Sequence, residues 1–257
     1  MEYSQEHAEL FEAPRKNKQS NQGEGLRMSN GVQRVFSEAA RTYEMINHLL
    51  TFGLDIFWRR ITARLASAVG GLNWLDVCGG TGEMAVSLHR VAGENTRIVS
   101  SDFSIHMLRS AKKKREVSDI QLTLADSGHL PFPDGSFDLA VISYATRNLN
   151  PTRQKLAGYL EEIHRVIRDS GTFINLETSQ PSSSIIRRLY HLYIRWIVRN
   201  LGSFISGSKT GYAYLSYTVP HFHGHMEFSR ILLEAGFKSI SVRRFMFGTF
   251  AIHQATA

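Results

Sequence analysis

From Asn73 to Ser179 the chain alternates between short apolar runs and amphipathic ones, and this rhythm limits its fold more than any other feature. "NWLDV" (73–77), "RIVSSD" (97–102), "IQLTLAD" (120–126), "FDLAVISYA" (137–145) and "GTFINLETS" (171–179) read as strands. "EMAVSLHRVA" (83–92), "SIHMLRSAKKKREV" (104–117) and "RQKLAGYLEEIHRVI" (153–167) carry apolar residues at helical spacing. Strands joined by helical crossovers form a parallel sheet covered on both faces. The expected class is therefore α/β, a Rossmann-like, mostly parallel sheet with helices on both faces. A helix near 226–235, the Gly236–Phe237 turn and strand-like runs at 238–244 and 247–254 predict an antiparallel pair that closes the sheet.

Upstream, "VQRVFSEAARTYEMINHLL" (32–50) and "DIFWRRITARLASAV" (55–69) predict two helices within 31–70 that lid the sheet. Residues 1–30 are polar and weakly periodic and read as a disordered arm. The expected organisation is one domain over 31–257, with a helical insertion at 182–225 facing substrate and membrane. A length of 257 residues, 42% hydrophobic and 21% charged, suits an ordinary globular enzyme. No apolar run approaches the roughly 20 residues that span a bilayer, and no secretory signal is visible. One cysteine excludes an intrachain disulfide and a multi-cysteine zinc site. The expected location is cytoplasmic, peripheral to the inner face of the membrane.

The net charge of +7 sits in the last third, where residues 181–257 hold nine basic and two acidic groups. Such a region attracts a polyanion, an anionic membrane before nucleic acid, or is a solvated basic face. Nucleic acid is disfavoured because the aromatic residues lie in an apolar helical segment rather than on an exposed stacking surface. "SSSIIRRLYHLYIRWIVRNLGSFI" mixes aliphatic and aromatic residues with Arg187, Arg188, Arg195 and Arg199. It is too charged to span a bilayer; it either lies in the interface or covers the sheet.

Gly79, Gly80 and Gly82 follow the first strand of the alternation, where open α/β sheets bind ligands. Bare backbone there permits a tight turn and close approach of a ligand to N–H groups, and Thr81 adds a donor. Asp102 comes 20 residues after Gly82, a spacing suited to a ribose diol. A dinucleotide satisfies that pattern as well. Three details favour S-adenosyl-L-methionine. Asp76 precedes the glycines and can meet an ammonium group. Asp126–Ser127 ends the third strand, where a carboxylate can take an adenine amino group. The long fourth strand ends at Ser143. Phe103 and Met107, after Asp102, complete the expected cofactor site. Cys78 reads as a small buried hydrophobe. His221, His223 and His225 read as rim or surface residues, and no metal is expected.

"AARTYEMINHLLTFGLDIFWRR", "LDVCGGTGEMA", "LPFPDGSFDLAVISYATRNL" and "YAYLSYTVPHF" together resemble the UbiE/MenG family, the C-methyltransferases of ubiquinone and menaquinone biosynthesis. The resemblance runs from about residue 31 to the end and implies a class I methyltransferase fold. It carries donor-site roles onto Thr81, Asp102, Asp126–Ser127 and Ser143. It implies methylation of a ring carbon of a polyprenylated quinol, with another small lipophilic phenol as the alternative. A homodimer is compatible with it. The chain departs from the family's usual pattern at Thr146, where glycine is common, at Asp169–Ser170, where Pro-Gly is common, and in "HFHGH". Arg147 follows the fourth strand and is expected to stabilise the phenolate, with Asn148 as hydrogen-bond partner; the alternative for Arg147 is a salt bridge. Tyr43 is expected to contact the ring. Proton removal is expected to pass through water to Asp102 or another acid.

Overall fold

The structure, a computed structural model, describes residues 48, 51, 53–198 and 216–257. In chain order the elements are α1 (Leu54–Val69), β1 (Asn73–Val77), α2 (Glu83–His89), β2 (Arg97–Asp102), α3 (Ile105–Ala111), β3 (Gln121–Leu124), β4 (Phe137–Ser143), α4 (Arg153–Val166), β5 (Ile167–Thr178), α5 (Ser184–Leu192), α6 (His225–Glu234), β6 (Lys238–Phe245) and β7 (Phe250–Thr256). The seven strands form one sheet in the order β3-β2-β1-β4-β5-β7-β6. Pairings from β3 through β5 are parallel, while β7 runs antiparallel to both β5 and β6. The order reverses between β1 and β4. The carboxyl ends of those two strands therefore mark the switch point, where such sheets place their ligands.

Side chains alternate across the sheet, so each strand feeds two cores. On β4, Leu139 and Val141 join Trp58, Ala63, Met84 and Leu88 from α1 and α2. Ala140 and Ile142 look the other way, onto Leu156, Leu160, Phe228 and Ile231 from α4 and α6. Phe173 of β5 stacks on Phe237, centroids 5.2 Å apart, and so fixes the chain where α6 turns into β6.

The predicted strands and the closing antiparallel pair are all present, and several segments differ in extent, β3, β4 and β7 among them. β5 begins at Ile167, directly out of α4, because Ile167 pairs with Phe137 before the register shifts at Leu139–Thr172. The helix read over 83–92 ends at His89, and that over 104–117 stops at Ala111, with a separate short turn at Arg115–Val117. In the second case Lys114 turns back to pair with Glu83 at the start of α2, which a continuous helix would prevent. The long segment from 184 is α5 followed by a wider, π-type turn at Tyr193–Val198. The arm at 1–30, the helix read over 32–50 apart from His48, and residues 199–215 lie outside the described residues. Among the described residues no helix is long and apolar enough to cross a membrane.

Asp138 locks the start of the sheet. Its Oδ2 accepts from the amides of Leu72 (2.6 Å) and Asn73 (2.8 Å), and its Oδ1 pairs with Arg168 at 2.8 Å. One carboxylate thus registers the first turn of β1 against β4 and β5. Asp138→Ala is expected to lower unfolding free energy by about 1–3 kcal/mol, because two amides lose their acceptor. Urea denaturation followed by far-UV circular dichroism measures this.

Candidate active site

The chain leaves β1 through Cys78–Gly82, with positive φ at Cys78 (56°), Gly80 (57°) and Gly82 (83°). Gly79 is required by packing: a Cβ there would lie 2.0 Å from Ser100 Oγ and 2.5 Å from Asp76 Oδ2. The sequence suggested that bare backbone at this point admits a ligand. At Gly79 it also makes room for the protein's own Asp76 and Ser100. The Gly79 amide donates to Ser101 O of β2 at 2.9 Å, and Gly80 N donates to Asp102 Oδ2 at 2.9 Å. Asp102 Oδ1 accepts from Ser104 N at 2.8 Å. Asp102 thereby clamps the glycine loop to the β2–α3 turn. Burial raises its carboxyl pKa, against the pull of the Ser104 and Gly80 amides.

Asp76 sits beneath this loop, fully buried. Ser100 Oγ donates to its Oδ2 at 3.0 Å, while Oδ1 is enclosed with no protein donor in hydrogen-bonding geometry. Burial pushes Asp76 up to about 7; the Ser100 hydroxyl opposes the rise and the Asp102 charge adds to it. Cys78 is a free thiol packed against the core, and burial raises its pKa far out of reach of a thiolate, as expected for a small hydrophobe. The charges of Asp102, Asp76 and Asp126 add to that rise, and the Ser127 hydroxyl opposes it.

Other expected cofactor residues take separate positions. Thr81 and Ser127 are buried, and Met107 is buried behind the helix cap in which its amide donates to Ser104 Oγ at 3.4 Å. Phe103 is half-buried beside Asp102. Asp126 is exposed, and its Oδ1 already accepts from Gly128 N at 2.9 Å, closing the turn after β3. Ser143 ends β4 with its Oγ enclosed and unpartnered.

After Ser143 the backbone turns sharply at Tyr144 (φ 58°) into a short helical turn, Thr146–Leu149. Arg147 is buried there. Its Nη1 donates to Glu177 Oε1 at 2.7 Å and to Tyr144 O at 3.0 Å, and its amide donates to Glu177 Oε2 at 3.2 Å. Glu177 also accepts from Thr178 N at 2.7 Å and Thr178 Oγ1 at 3.0 Å. Sequence reasoning missed Glu177. The signal was the β4–β5 register, which pairs Ser143 with Leu176 and so sets Glu177 beside the β4 exit. Asn148 Oδ1 is buried without a partner. From α1, the Arg59 guanidinium lies 5.0 Å from the Tyr144 ring centroid and pairs with Asp55 at 2.5 Å. Asp55 is further held by His48 and Thr51, each at 2.7 Å. Tyr43 lies outside the described residues.

The histidines of "HFHGH" have unrelated partners. His221 meets Tyr217 O at 2.6 Å, His223 meets Glu227 at 3.0 Å, and the carbonyl of His225 meets His253 Nε2 at 3.0 Å. The site's polar groups fit S-adenosylmethionine: an anchored acid able to accept from ribose hydroxyls, an enclosed carboxylate oxygen able to accept from an ammonium, and an enclosed hydroxyl at the next strand end.

A model of the ubiE/COQ5 methyltransferase family matches residues 23–257. The chain belongs to this family. A ubiquinone/menaquinone biosynthesis C-methyltransferase from Desulfotalea psychrophila is 32% identical over 223 residues, covering 87% of this chain and 89% of the relative. A demethylmenaquinone methyltransferase from Staphylococcus aureus is also 32% identical, over 86% of this chain and 91% of its own. Among solved structures, a SAM-dependent methyltransferase from Thermotoga maritima superposes with a TM-score of 0.58 at 17% identity, over 87% of this chain and 98% of that one. Another from Aquifex aeolicus gives 0.50 at 16% identity, over 73% and 82%. These two share the fold. The family member described here is an S-adenosylmethionine-dependent methyltransferase.

Two predictions follow from this geometry. Gly79→Ala is expected to reduce cofactor affinity at least about tenfold, since the loop must move away from Asp76 and Ser100; isothermal titration calorimetry reads it. Asp76 gives a pH signature. Unfolded, it ionises near pH 4; folded, near pH 7. The folded chain binds the extra proton in that window, so stability falls as pH rises from about 4 to 7. Cofactor affinity should climb over the same window, because an ammonium group prefers the carboxylate. Asp76→Asn is expected to remove both trends in calorimetry and urea titrations.

Proposed function

We propose that this methyltransferase acts on a ring carbon of a polyprenylated quinol, converting demethylmenaquinol to menaquinol or methylating the 2-polyprenyl-6-methoxy-1,4-benzoquinol counterpart. The names of the two relatives support this reading. The observation that carries it is the family match over residues 23–257; Arg147 forms the salt bridge that was its alternative reading, with Glu177, and its place one short turn from Ser143 supports a role at the acceptor as well.

When bound, S-adenosylmethionine would supply a sulfonium-borne methyl group, which a carbon nucleophile takes in line as the methyl C–S bond breaks and S-adenosylhomocysteine leaves. The chain's residues supply position and charge. Asp102 and the glycine loop hold the nucleoside end, Asp76 faces the ammonium, and Ser127 with Asp126 borders the adenine. Fixing donor and acceptor near contact distance contributes roughly 7–11 kcal/mol of barrier lowering. A quinol ring carbon is a poor nucleophile until a hydroxyl ionises, and a phenol has pKa near about 10. Arg147 stays protonated at any working pH, so it stabilises phenolate rather than removing the proton. Glu177 fixes the plane of its guanidinium, and the Asn148 carbonyl oxygen offers a hydrogen-bond acceptor beside it. The hydroxyl proton leaves through water to a strand-end acid, and after transfer the hydrogen on the methylated ring carbon leaves as a proton to return the ring to a phenol. The described start of the helical insertion, 182–198, receives the prenyl tail at the surface of an anionic bilayer.

Purified protein assayed with labelled S-adenosylmethionine against both quinols tests the proposal; turnover of neither, with a simple lipophilic phenol accepted instead, would replace it. Arg147→Lys keeps a cation near Glu177 and is expected to lower kcat/KM by about 10²–10³-fold with cofactor affinity unchanged. Arg147→Ala is expected to cost a further 3–5 kcal/mol or so of stability, because Glu177 is left buried and uncompensated.

A further inference from the structure

Two exposed apolar features flank one end of the sheet. The first is a side of α5, where Ile185, Leu189 and Leu192 are spaced four and three apart and are 73%, 62% and 47% exposed. Trp196, 64% exposed, extends this side through the π-type turn. The second is the turn joining β6 to β7, where Met246 and Phe247 are 52% and 81% exposed. Both have left-handed backbone, with φ of 47° and 57°. A turn of that shape is ordinarily made by Gly or Asn, and a bulky residue there is disfavoured. A phenylalanine kept in a strained turn and held out in water points to a role outside the fold.

The two features are neighbours. β7 runs antiparallel to β5 with Thr178 opposite Phe250, so the β6–β7 turn lies beyond the carboxyl end of β5. Ser179 N donates to Thr249 O at 2.7 Å, and Gly248 packs against Pro181, the lead into α5. This is also the end that carries Arg147 and Glu177.

Charge selects the occupant. No acidic residue occurs from Thr178 to Met226, nor after Glu234. Arg187, Arg188 and Arg195 are exposed beside the helix stripe, and Arg243 and Arg244 are exposed beside the turn. A second copy of the chain meeting this patch through a two-fold axis would set arginine against arginine. A polyanion in water needs the arginines but gives no reason to expose Leu189, Trp196 and Phe247. An anionic bilayer satisfies both chemistries: phosphates for the guanidinium groups and an acyl boundary for the apolar side chains.

We propose that α5 and the β6–β7 turn form a two-point dock for an anionic lipid bilayer, with Met246 and Phe247 inserted as a wedge and the helix stripe lying in the headgroup layer. The dock holds the mouth of the site toward the membrane. It rests on the proposed function only for why a lipid surface is useful to the enzyme.

Vesicle binding is read without substrate, so failure of the dock and failure of the quinol assignment are distinguishable. Trp58 and Trp74 are 3% and 2% exposed, which leaves Trp196 to report insertion by fluorescence. With phosphatidylglycerol-containing vesicles the emission is expected to shift to the blue and to be quenched by brominated lipid; phosphatidylcholine vesicles should give neither. Arg187→Gln with Arg188→Gln is expected to weaken partitioning about fivefold per charge at low salt. Phe247→Asn suits the left-handed turn, keeps the thermal midpoint, and is expected to weaken partitioning about tenfold. Wild-type partitioning in both variants, or equal binding to neutral and anionic vesicles, overturns the proposal. So does sedimentation showing a wild-type dimer that Phe247→Asn dissociates, which would assign the surface to a second copy.

Discussion

The contact of Gly79 with Asp76 and Ser100 is the constraint on which the site depends. Only a residue without Cβ lets the β1 loop close over the carboxylate, and that closure brings the Gly80 amide onto Asp102 at 2.9 Å. Two strand ends become one rigid corner. The corner also shuts Asp76 away from water, so its charge is expensive until a cation arrives. The same packing that builds the loop thus holds the Asp76 carboxyl out of water and pushes its pKa up to about 7. The energetic logic is that of preorganisation: the desolvation is met during folding rather than at binding.

A second corner lies at the tips of β4 and β5. Arg147 and Glu177 form a buried pair whose desolvation is offset only because the backbone amides of Arg147 and Thr178 and the Tyr144 carbonyl complete its hydrogen bonds. Arg59 brings a second cation against the Tyr144 ring from α1, held by Asp55. Each of these two cations is thus oriented by a buried acid, Glu177 for Arg147 and Asp55 for Arg59. Both corners sit at the carboxyl end of one sheet, next to the arginine-rich helix and the β6–β7 turn.

Much of this was legible in the sequence. Apolar runs with helical spacers gave the parallel sheet, and the Gly-Phe turn gave the closing pair. Asp102 was recognisable by its spacing from the glycines, because one βα unit has a near-constant length. Residues that meet across strands were harder. Glu177 is 30 positions from Arg147, and only the β4–β5 register joins them. The packing reason for Gly79 was hidden for the same cause: its neighbour Ser100 lies on the adjacent strand. Helix ends were set by the Lys114–Glu83 pair and by the direct passage of α4 into β5, which local periodicity does not encode. Tyr43, chosen from the resemblance, falls outside the described residues.

The most direct measurement is a crystal structure of the protein soaked with S-adenosylhomocysteine. The account predicts the ribose hydroxyls on Asp102, the amino group over Asp76, and the sulfur turned toward the Ser143–Arg147 turn. A nucleoside bound elsewhere, or a sulfur pointing away from Arg147, would contradict it.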